Sequence, residues 1–327
     1  MTLAWVLGSR GLLGAALCRV LQREGTALFF PGELFCWDNG PQLAAQMAVA
    51  VQAFASQVAP ADHWEIYWAA GVGTMSSPAD DLAPETQALS LLLRCLSGQP
   101  RLMATAGTLA FASSAGAIYA GSVEEIITEN TLPMPTTAYA IEKLGQEDLI
   151  RAFAMANRRM TALIARISTL YGPGQSTGKK QGLLAHIARN MLRNQPIQIY
   201  VPYDTIRDYL ATDDAATTLV SASRTSREIA PGALTRIIAS EQPVTIAEII
   251  SIFKRLARRA PRIVTSASRL SALYARRVQF RSIALPAYTR TPTQSLIVGI
   301  AELMKAERAA FVRAGDWNGF DERANEV

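Results

Sequence analysis

Tyr139 and Lys143 stand four residues apart in the stretch Tyr-Ala-Ile-Glu-Lys. In an α-helix, this spacing places both side chains on one face, one turn from each other. A lysine ammonium beside a phenol favours the phenolate, so such a tyrosine can exchange a proton near neutral pH. That exchange suits the oxidation of an alcohol or the reduction of a ketone. Because solvated helices often carry this pair, its meaning depends on a cofactor site elsewhere in the chain.

A glycine-rich turn follows the first apolar run. Residues 3–7 are typical of a buried parallel strand, and residues 15–21 have the apolar spacing of a helix. Between them, Gly8, Gly11 and Gly14 are spaced G-x-x-G-x-x-G, one residue wider than the G-x-G-x-x-G dinucleotide fingerprint. The turn would let a pyrophosphate approach the backbone at the helix N-terminus. The alternative is a flexible strand-to-helix turn without a ligand.

Short apolar runs alternate with helical patterns through the first half of the chain. Strands are predicted at residues 27–30, 65–68, 108–112 and 162–166, and helices at 42–58, 85–96 and 137–157. Alternating βα units predict an α/β fold, a Rossmann-type doubly wound parallel sheet. In such sheets ligands bind at the carboxyl ends of the strands. The glycine turn, residues 69–71 and residues 113–116 all fall at such ends.

The pattern loosens at Gly172, in a turn rich in glycine and proline. We therefore predict a dinucleotide-binding Rossmann domain at residues 1–171, rejoined by about 203–225. Residues 172–327 are predicted to form mainly a smaller C-terminal α/β substrate-binding domain. The final helix is expected at 294–313, followed by a polar tail.

Composition limits the possible classes of protein. The 327 residues carry a formal charge of +5, and half of them are hydrophobic, which argues against extensive disorder. The cysteines Cys18, Cys36 and Cys95 lack C-x-x-C spacing, so we expect a reduced protein without disulfides. His63 and His186 are far apart, and we therefore expect no metal site. No run approaches the roughly 18 apolar residues of a membrane span, so we expect a cytoplasmic protein without membrane insertion.

Basic residues are frequent between Lys254 and Arg281, and Arg276 is one of them. A nucleic-acid or membrane surface could carry such a set. Aromatic residues are sparse among them, so we interpret the set as a solvated surface and expect no nucleic acid as partner.

Five groups of residues occur in an order that is typical of one family. They are the glycine turn at 8–14, Ser113-Ser114 followed by Ile118-Tyr119, Tyr139-x-x-x-Lys143, residues 166–174 and residues 207–214. In this order they resemble the extended short-chain dehydrogenase/reductases, specifically the NAD-dependent epimerase/dehydratase, nucleotide-sugar epimerase-like family. The resemblance covers residues 1 to about 215 and names no substrate.

The resemblance implies roles for the matched residues. Tyr139 would exchange a proton with a sugar hydroxyl, Lys143 would lower its pKa and bind the nicotinamide ribose, and a serine would orient the hydroxyl. The cofactor would carry the hydride, while the protein manages position and protons. The implied cofactor-binding residues are Gly8, Arg10, Gly11, Leu12, Leu13, Gly14, Ala69, Ala70, Tyr139, Lys143 and Ser168, and the implied substrate-binding residues are Ser114, Thr169 and Arg207.

The catalytic serine is open between two residues. In the family pattern the working Ser or Thr stands four residues before the tyrosine, and that place is Ala115 here. We favour Ser114, with Ser113 as the alternative. Dehydratases of the family resemble one another in having Asp and Glu directly after that Ser or Thr, whereas Ala and Gly stand here. The resemblance thus favours a 4-epimerase or a ketoreductase over a dehydratase.

The cofactor is open between NAD and NADP. Members of the family that prefer NAD resemble one another in an Asp at the end of the second strand, where this chain reads Phe-Pro-Gly-Glu up to Glu33. Glu33 could replace the Asp, whereas Arg10 could reach a 2′-phosphate, and this slightly favours NADP. On the substrate side, Arg207 matches an arginine that pairs with a nucleotide diphosphate, and a guanidinium suits phosphate oxygens.

The leading hypothesis is therefore an NAD(P)-dependent nucleotide-sugar 4-epimerase or ketoreductase, an isomerase or oxidoreductase of polysaccharide biosynthesis. One alternative is a catalytically weak or inactive NAD(P)-binding sensor or scaffold with the same fold. Another is a reductase of a non-sugar carbonyl. By resemblance, the protein is expected to be a homodimer with a nucleotide-sugar substrate.

Overall fold

The computed structural model describes residues 2–59, 62–175, 182–229, 232–265, 277–285 and 293–313. The predicted polar tail and Arg276 lie outside these residues. The strands are β1 (Thr2–Leu7), β2 (Ala27–Phe29), β3 (His63–Trp68), β4 (Gly107–Ser114), β5 (Met160–Ile167), β6 (Thr169–Tyr171), β7 (Ile197–Ile199), β8 (Ile206–Ala211), β9 (Gly232–Ile238), β10 (Pro243–Thr245) and β11 (Ile263–Thr265). The helices are α1 (Leu12–Arg23), α2 (Gly40–Gln57), α3 (Ala79–Ser97), α4 (Pro100–Ala104), α5 (Ala115–Ile118), α6 (Ala138–Ala156), α7 (Leu183–Leu192), α8 (Thr212–Ile229), α9 (Ile246–Ala257) and α10 (Leu296–Arg313).

A parallel sheet of six strands carries the glycine turn. Its order is β2-β1-β3-β4-β5-β9, and every neighbouring pair is parallel. The chain leaves β1 toward β2 and later returns to the other side of β1 with β3. This reversal is the topological switch point, where open α/β sheets bind ligands outside the carboxyl ends of their strands. The predicted Rossmann-type fold is confirmed.

Both faces of this sheet are buried, which explains the nearly continuous apolar strands. Successive side chains point to opposite faces. Trp5 and Leu7 accordingly pack in a core with residues of α2, α3 and α6, whereas Ala4 and Val6 pack in a second core with residues of α1 and α8. Trp5 and Leu7 are each 1% exposed, and burial of each large side chain contributes about 1.5–3 kcal/mol. These cores hold the strand ends in place for a site.

A second group of elements follows β5. Strand β8 pairs with β6 in parallel and with β10 antiparallel, and β7 pairs with β11. Helices α7, α9 and α10 share an apolar core that includes Ile187, Phe253 and Leu303. Between β8 and β10, the chain returns once to the large sheet through α8 and β9. The proposed division at residue 171 stays a prediction.

No helix in the described ranges is both long enough and apolar enough to cross a lipid bilayer.

Candidate active site

The glycine turn between β1 and α1 is closed too tightly for side chains at two of its positions. Gly8 has φ +84°, and a Cβ there would lie 2.6 Å from the carbonyl carbon of Ala69. A Cβ on Gly14 would overlap the carbonyl oxygen of Gly8. The Gly11 amide donates to that oxygen at 2.8 Å, and Gly11 is the N-cap of α1. The turn thus brings the free amides of a helix N-terminus to the switch point.

A cavity of about 300 Å³ opens at this turn. Its walls come from the glycine turn, from an aromatic loop after β2, from the segment after β3 and from α3. The residues that line it are Val6, Leu7, Gly8, Ser9, Arg10, Gly11, Leu34, Phe35, Trp37, Trp68, Ala69, Ala70, Gly71, Val72, Asp81, Pro84, Glu85 and Ala88. Of the predicted cofactor residues, the cavity brings together Gly8, Arg10, Gly11, Ala69 and Ala70. A glycine cradle beside apolar and aromatic walls fits a dinucleotide.

The loop after β2, which carries Glu33, is hydrogen-bonded to α2. Gln46 of α2 donates to Leu34 O at 3.0 Å and to Glu33 Oε2 at 3.5 Å, and its Oε1 accepts from the Cys36 amide at 2.9 Å. Glu33 is not among the described residues that line the cavity, whereas Arg10 is exposed there. Trp37 lies on the same wall, with its ring centroid 6.2 Å from that of Trp68.

The Tyr139 and Lys143 side chains lie at the start of α6. Thr137 caps this helix by accepting from the Ala140 amide at 3.2 Å. The side chain of Ser114 at the end of β4 faces the Tyr139 hydroxyl, close enough to act on the pKa of the phenol. Lys143 Nζ lies 5.7 Å from the centroid of the Tyr139 ring. The structure thus brings the three predicted catalytic residues together.

Lys143 is buried and held by a chain of hydrogen bonds. Its side chain is 7% exposed, and its ammonium donates to Gln146 Oε1 at 2.9 Å. The Gln146 amide in turn donates to Thr86 Oγ1 of α3 at 2.9 Å. Burial lowers the pKa of Lys143, while the carboxylates of Glu85, Glu142 and Glu147 raise it. The ammonium is therefore fixed beside the tyrosine ring.

The pKa of Tyr139 is raised above its usual value in this arrangement. Burial is the largest cause, the nearby Glu85 carboxylate adds to it, and the hydrogen bond with Ser114 acts in the opposite direction. This direction is opposite to the one that the spacing of Tyr139 and Lys143 alone suggests. Burial and the Glu85 carboxylate thus both disfavour the phenolate in this arrangement.

Ser113 and Ser114 face different surroundings because neighbouring strand residues point to opposite sides. Ser113 donates to Glu147 Oε1 at 2.7 Å, and Glu147 is fully buried. Arg166 binds both oxygens of the same carboxylate at 2.9 and 2.7 Å, and donates to the Tyr119 hydroxyl at 2.5 Å. Ser113 thus belongs to a buried network of charges. Ser114 is the serine that faces Tyr139, and Ala115 is buried without a polar group.

Glu85 was not among the predicted site residues, although it lies between the cavity and Lys143. Its Oε1 accepts from the Val72 and Gly73 amides, both at 2.6 Å, and its Oε2 lies 3.9 Å from Lys143 Nζ. The sequence pattern placed Glu85 at the first position of a helix. In the structure α3 begins at Ala79 and carries Pro84 within it. Nothing in the sequence around Glu85 and Pro84 predicted that the Glu85 carboxylate would reach α6.

Of the three predicted substrate residues, Ser114 ends β4 of the large sheet, whereas Thr169 and Arg207 lie on neighbouring strands of a second sheet. Thr169 opens β6 opposite Tyr209 of β8, and Arg207 lies in β8 opposite Val244 of β10. Arg207 is partly buried and donates to Ile206 O at 2.8 Å. Ser168 is buried directly after β5, and its amide donates to Ile238 O at 2.9 Å.

No group of three or more His, Cys, Asp or Glu within the described ranges is placed to hold a metal ion. The Nε2 of His63 lies 2.8 Å from Thr108 Oγ1, and His186 lies beside Asn190. Both histidines thus have protein partners.

The fold and the glycine turn define a Rossmann-type α/β protein. A sequence model of the NAD dependent epimerase/dehydratase family matches residues 4–235, and the chain belongs to this family. It is similar to the dTDP-L-rhamnose 4-epimerase of Burkholderia thailandensis, with 33% identity over 94 residues, which are 28% of this chain and 26% of that protein. The match thus spans about a quarter of the length of this relative.

Two solved structures resemble this one over nearly the whole chain. The UDP-glucose 4-epimerase of Thermotoga maritima, solved with UDP-glucose, has a TM-score of 0.78 at 19% identity. A Pseudomonas aeruginosa protein named RMD, solved with NADPH, has a TM-score of 0.75 at 20% identity. Each match covers 95% of this chain and 100% of the other chain. At these identities, the likeness shows the fold.

Proposed function

We propose that this protein is an NAD(P)-dependent nucleotide-sugar 4-epimerase or ketoreductase with Tyr139 as its acid/base. The observation that carries the proposal is the cluster of Ser114, Tyr139 and Lys143 at the carboxyl edge of the sheet that holds the glycine turn. A substrate hydroxyl or carbonyl placed against Ser114 and Tyr139 would exchange a proton with the Tyr139 phenol. The Lys143 ammonium lies beside the ring of this phenol. This is the proton chemistry of alcohol oxidation and ketone reduction.

The chain's own residues divide the work. Gly8, Gly11 and the N-terminus of α1 would hold the cofactor phosphates, and the nicotinamide would supply or accept a hydride. Ser114 orients the reacting oxygen by a hydrogen bond, and Tyr139 donates or accepts its proton. Lys143 lies beside the tyrosine ring, and its buried ammonium favours the phenolate once Tyr139 has given up its proton.

Arg10 supports NADP as the cofactor. Its side chain is exposed on the cavity wall, where a guanidinium would bind a 2′-phosphate. Glu33 contacts Gln46 instead of lining the cavity. This placement of Glu33 supports NADP over NAD, because the Glu33 carboxylate faces Gln46.

Arg207 and the family relatives support a nucleotide sugar as the substrate. The relative from Burkholderia thailandensis is named for a dTDP-sugar, and the structure from Thermotoga maritima was solved with a UDP-sugar. A planar guanidinium on β8 suits the oxygens of such a diphosphate. Ala115 and Gly116 follow Ser114 without an acid or a base, which favours epimerisation or reduction over loss of water.

The test is turnover by the pure protein. The panel contains UDP-, GDP- and dTDP-sugars, and 4-keto sugars with NADPH, for wild type and for Tyr139→Phe. We expect turnover with at least one substrate and a loss of about a hundredfold or more in Tyr139→Phe, the usual size of an acid/base contribution. Equal rates in wild type and variant would refute the role of Tyr139. No turnover with any substrate of the panel would refute the proposal that the protein is an enzyme of this kind.

A second candidate is an NAD(P)-binding sensor or scaffold of the same fold. Burial and the Glu85 carboxylate raise the pKa of Tyr139, which works against proton exchange near neutral pH and so favours this candidate. Titrations with NADH and NADPH, followed by fluorescence, separate the candidates, because Trp37 and Trp68 line the cavity. Binding without turnover on the panel indicates a sensor. If NADPH binds no tighter than NADH, the preference for NADP is wrong.

A further inference from the structure

One carboxylate joins the cofactor cavity to the tyrosine and lysine of α6. Glu85 projects from α3, and its side chain is 11% exposed. One of its oxygens accepts two backbone amides of the segment after β3, and the other faces the ammonium of Lys143 at 3.9 Å. A buried carboxylate is costly unless hydrogen bonds and an opposite charge compensate it. Both are present here.

The segment that Glu85 binds also passes close to Tyr139. A Cβ on Gly73 would lie 3.3 Å from Cδ2 of the Tyr139 ring and would overlap Cδ2 of Leu82. Residues 71 and 72 of the same segment line the cavity. Gly73 thus lies between α3 and the tyrosine, and the two short hydrogen bonds that Glu85 accepts from Val72 and Gly73 hold the segment there. A shift of residues 71–73 would therefore move the cavity wall and, at the same time, Gly73 beside the Tyr139 ring.

We propose that Glu85 is a positioning residue that locks residues 71–73 against Tyr139 and sets the charge environment of the Lys143 ammonium. The inference rests on the proposed function, because it assigns Glu85 to the same site. Glu85 does not exchange protons with the substrate. It acts through the cavity wall on one side and through Lys143 on the other.

The charges around Tyr139 and Lys143 determine the direction in which Glu85 shifts their pKa values. Lys143 faces Glu85 from α3 and Glu142 and Glu147 from its own helix, while Tyr139 faces Glu85 and the Ser114 hydroxyl of β4. Glu85 favours the ammonium of Lys143 and disfavours the phenolate of Tyr139. It therefore raises the pKa of both groups, and removing its charge lowers both.

Two substitutions separate the two roles of Glu85. Glu85→Gln removes the charge and keeps an oxygen that can accept the two backbone amides. Glu85→Ala removes the charge and the acceptor. Asp80→Asn is the matched control, because Asp80 is an exposed acidic residue in the first turn of the same helix.

The charge role is read from the titration of Lys143 in the free protein. Lysine is labelled with ¹³C at Cε, and Lys143→Arg assigns the signal. We expect Glu85→Gln to lower the titration midpoint by about one pH unit, the usual effect of losing a close opposite charge. Asp80→Asn should leave it unchanged. An unchanged midpoint in Glu85→Gln overturns the inference, and a merely structural carboxylate would give that result.

The role in the cavity wall is read from the dissociation constants of NADH and NADPH. We expect Glu85→Ala to weaken binding about tenfold, because two backbone donors lose their acceptor, and Glu85→Gln to weaken it less. Wild-type affinity in Glu85→Ala overturns this role. If the wild type binds neither cofactor, the proposed function fails, while the Lys143 titration still decides on Glu85. If Glu85→Ala does not fold, Glu85→Gln and the titration decide.

Discussion

At the scale of single residues, the difference between two adjacent serines decides where chemistry can occur. Ser113 and Ser114 have the same chemistry, and the alternation of the strand turns them to opposite sides. One donates to the buried Glu147, and the other faces the Tyr139 hydroxyl. The same alternation gives a charge network on one side of the strand end and a candidate reaction site on the other.

The two serines should therefore respond differently to replacement by alanine. Ser114→Ala is expected to lower turnover about a hundredfold with little change in stability, because the reacting oxygen loses its orienting bond. Ser113→Ala is expected to lower the free energy of unfolding by about 1–3 kcal/mol, because a buried carboxylate loses a donor. Rates on the active substrate and urea unfolding measure the two effects. The opposite pattern would assign the catalytic role to Ser113.

At the scale of elements, the strand, turn and helix at residues 2–23 form a unit whose geometry depends on two glycines. The carbonyl oxygen of Gly8 accepts the Gly11 amide at 2.8 Å and lies where a side chain on Gly14 would project. Because β1 and α1 pack against each other in the second core, neither can move away to make room. The turn is thus fixed by packing on both sides.

Gly14→Ala should raise the dissociation constants of NADH and NADPH at least about tenfold. It should also lower the free energy of unfolding, although alanine normally favours a helix over glycine by about 1 kcal/mol. The matched control is Gly145→Ala on α6, where a Cβ meets nothing within 4 Å and stability should rise. Cofactor titrations and thermal unfolding measure both variants. Normal binding in Gly14→Ala would show that the turn is not a cofactor cradle.

At the scale of the whole molecule, a few charged and polar contacts tie the layers to each other. Arg224 of α8 binds Glu65 of β3 at 3.0 Å and Glu24 after α1 at 2.6 Å. His63 at the start of β3 contacts Thr108 of β4 and has Glu65, Arg224 and Arg227 around it. Burial is the main cause that lowers the pKa of His63, and the two arginines add to it. The expected homodimer stays a prediction.

Acid should therefore destabilise the protein through its histidines. The pKa of His63 lies below its usual 6.5 in the folded protein, so the unfolded chain binds the proton more readily. The stability is present above pH 6.5 and is lost as the pH falls below it. Urea unfolding from pH 7.5 to 5 should show this loss, and His63→Gln should reduce it. The pKa of His186 is lowered too, and His186→Gln measures its share. If neither variant changes the slope, the histidines are not responsible.

The sequence by itself determined the fold class, the glycine turn and the pairing of Tyr139 with Lys143. Each of these follows from periodicity or spacing within a short segment, which local sterics and helix geometry dictate. The family match over residues 4–235 agrees with this part of the prediction. The bounds of α6 were close, since it was predicted at 137–157 and spans Ala138–Ala156, whereas α3, predicted at 85–96, spans Ala79–Ser97.

Only the tertiary structure decided which serine faces Tyr139, that Glu33 contacts Gln46, and that Glu85 reaches Lys143. These contacts join elements that are distant in sequence, such as α3 with α6. They depend on where a helix begins and on how it is rotated against its neighbours, which no local pattern encodes. The raised pKa of Tyr139 has the same origin, since burial and the charge of Glu85 exist only after α3, β4 and α6 have packed together.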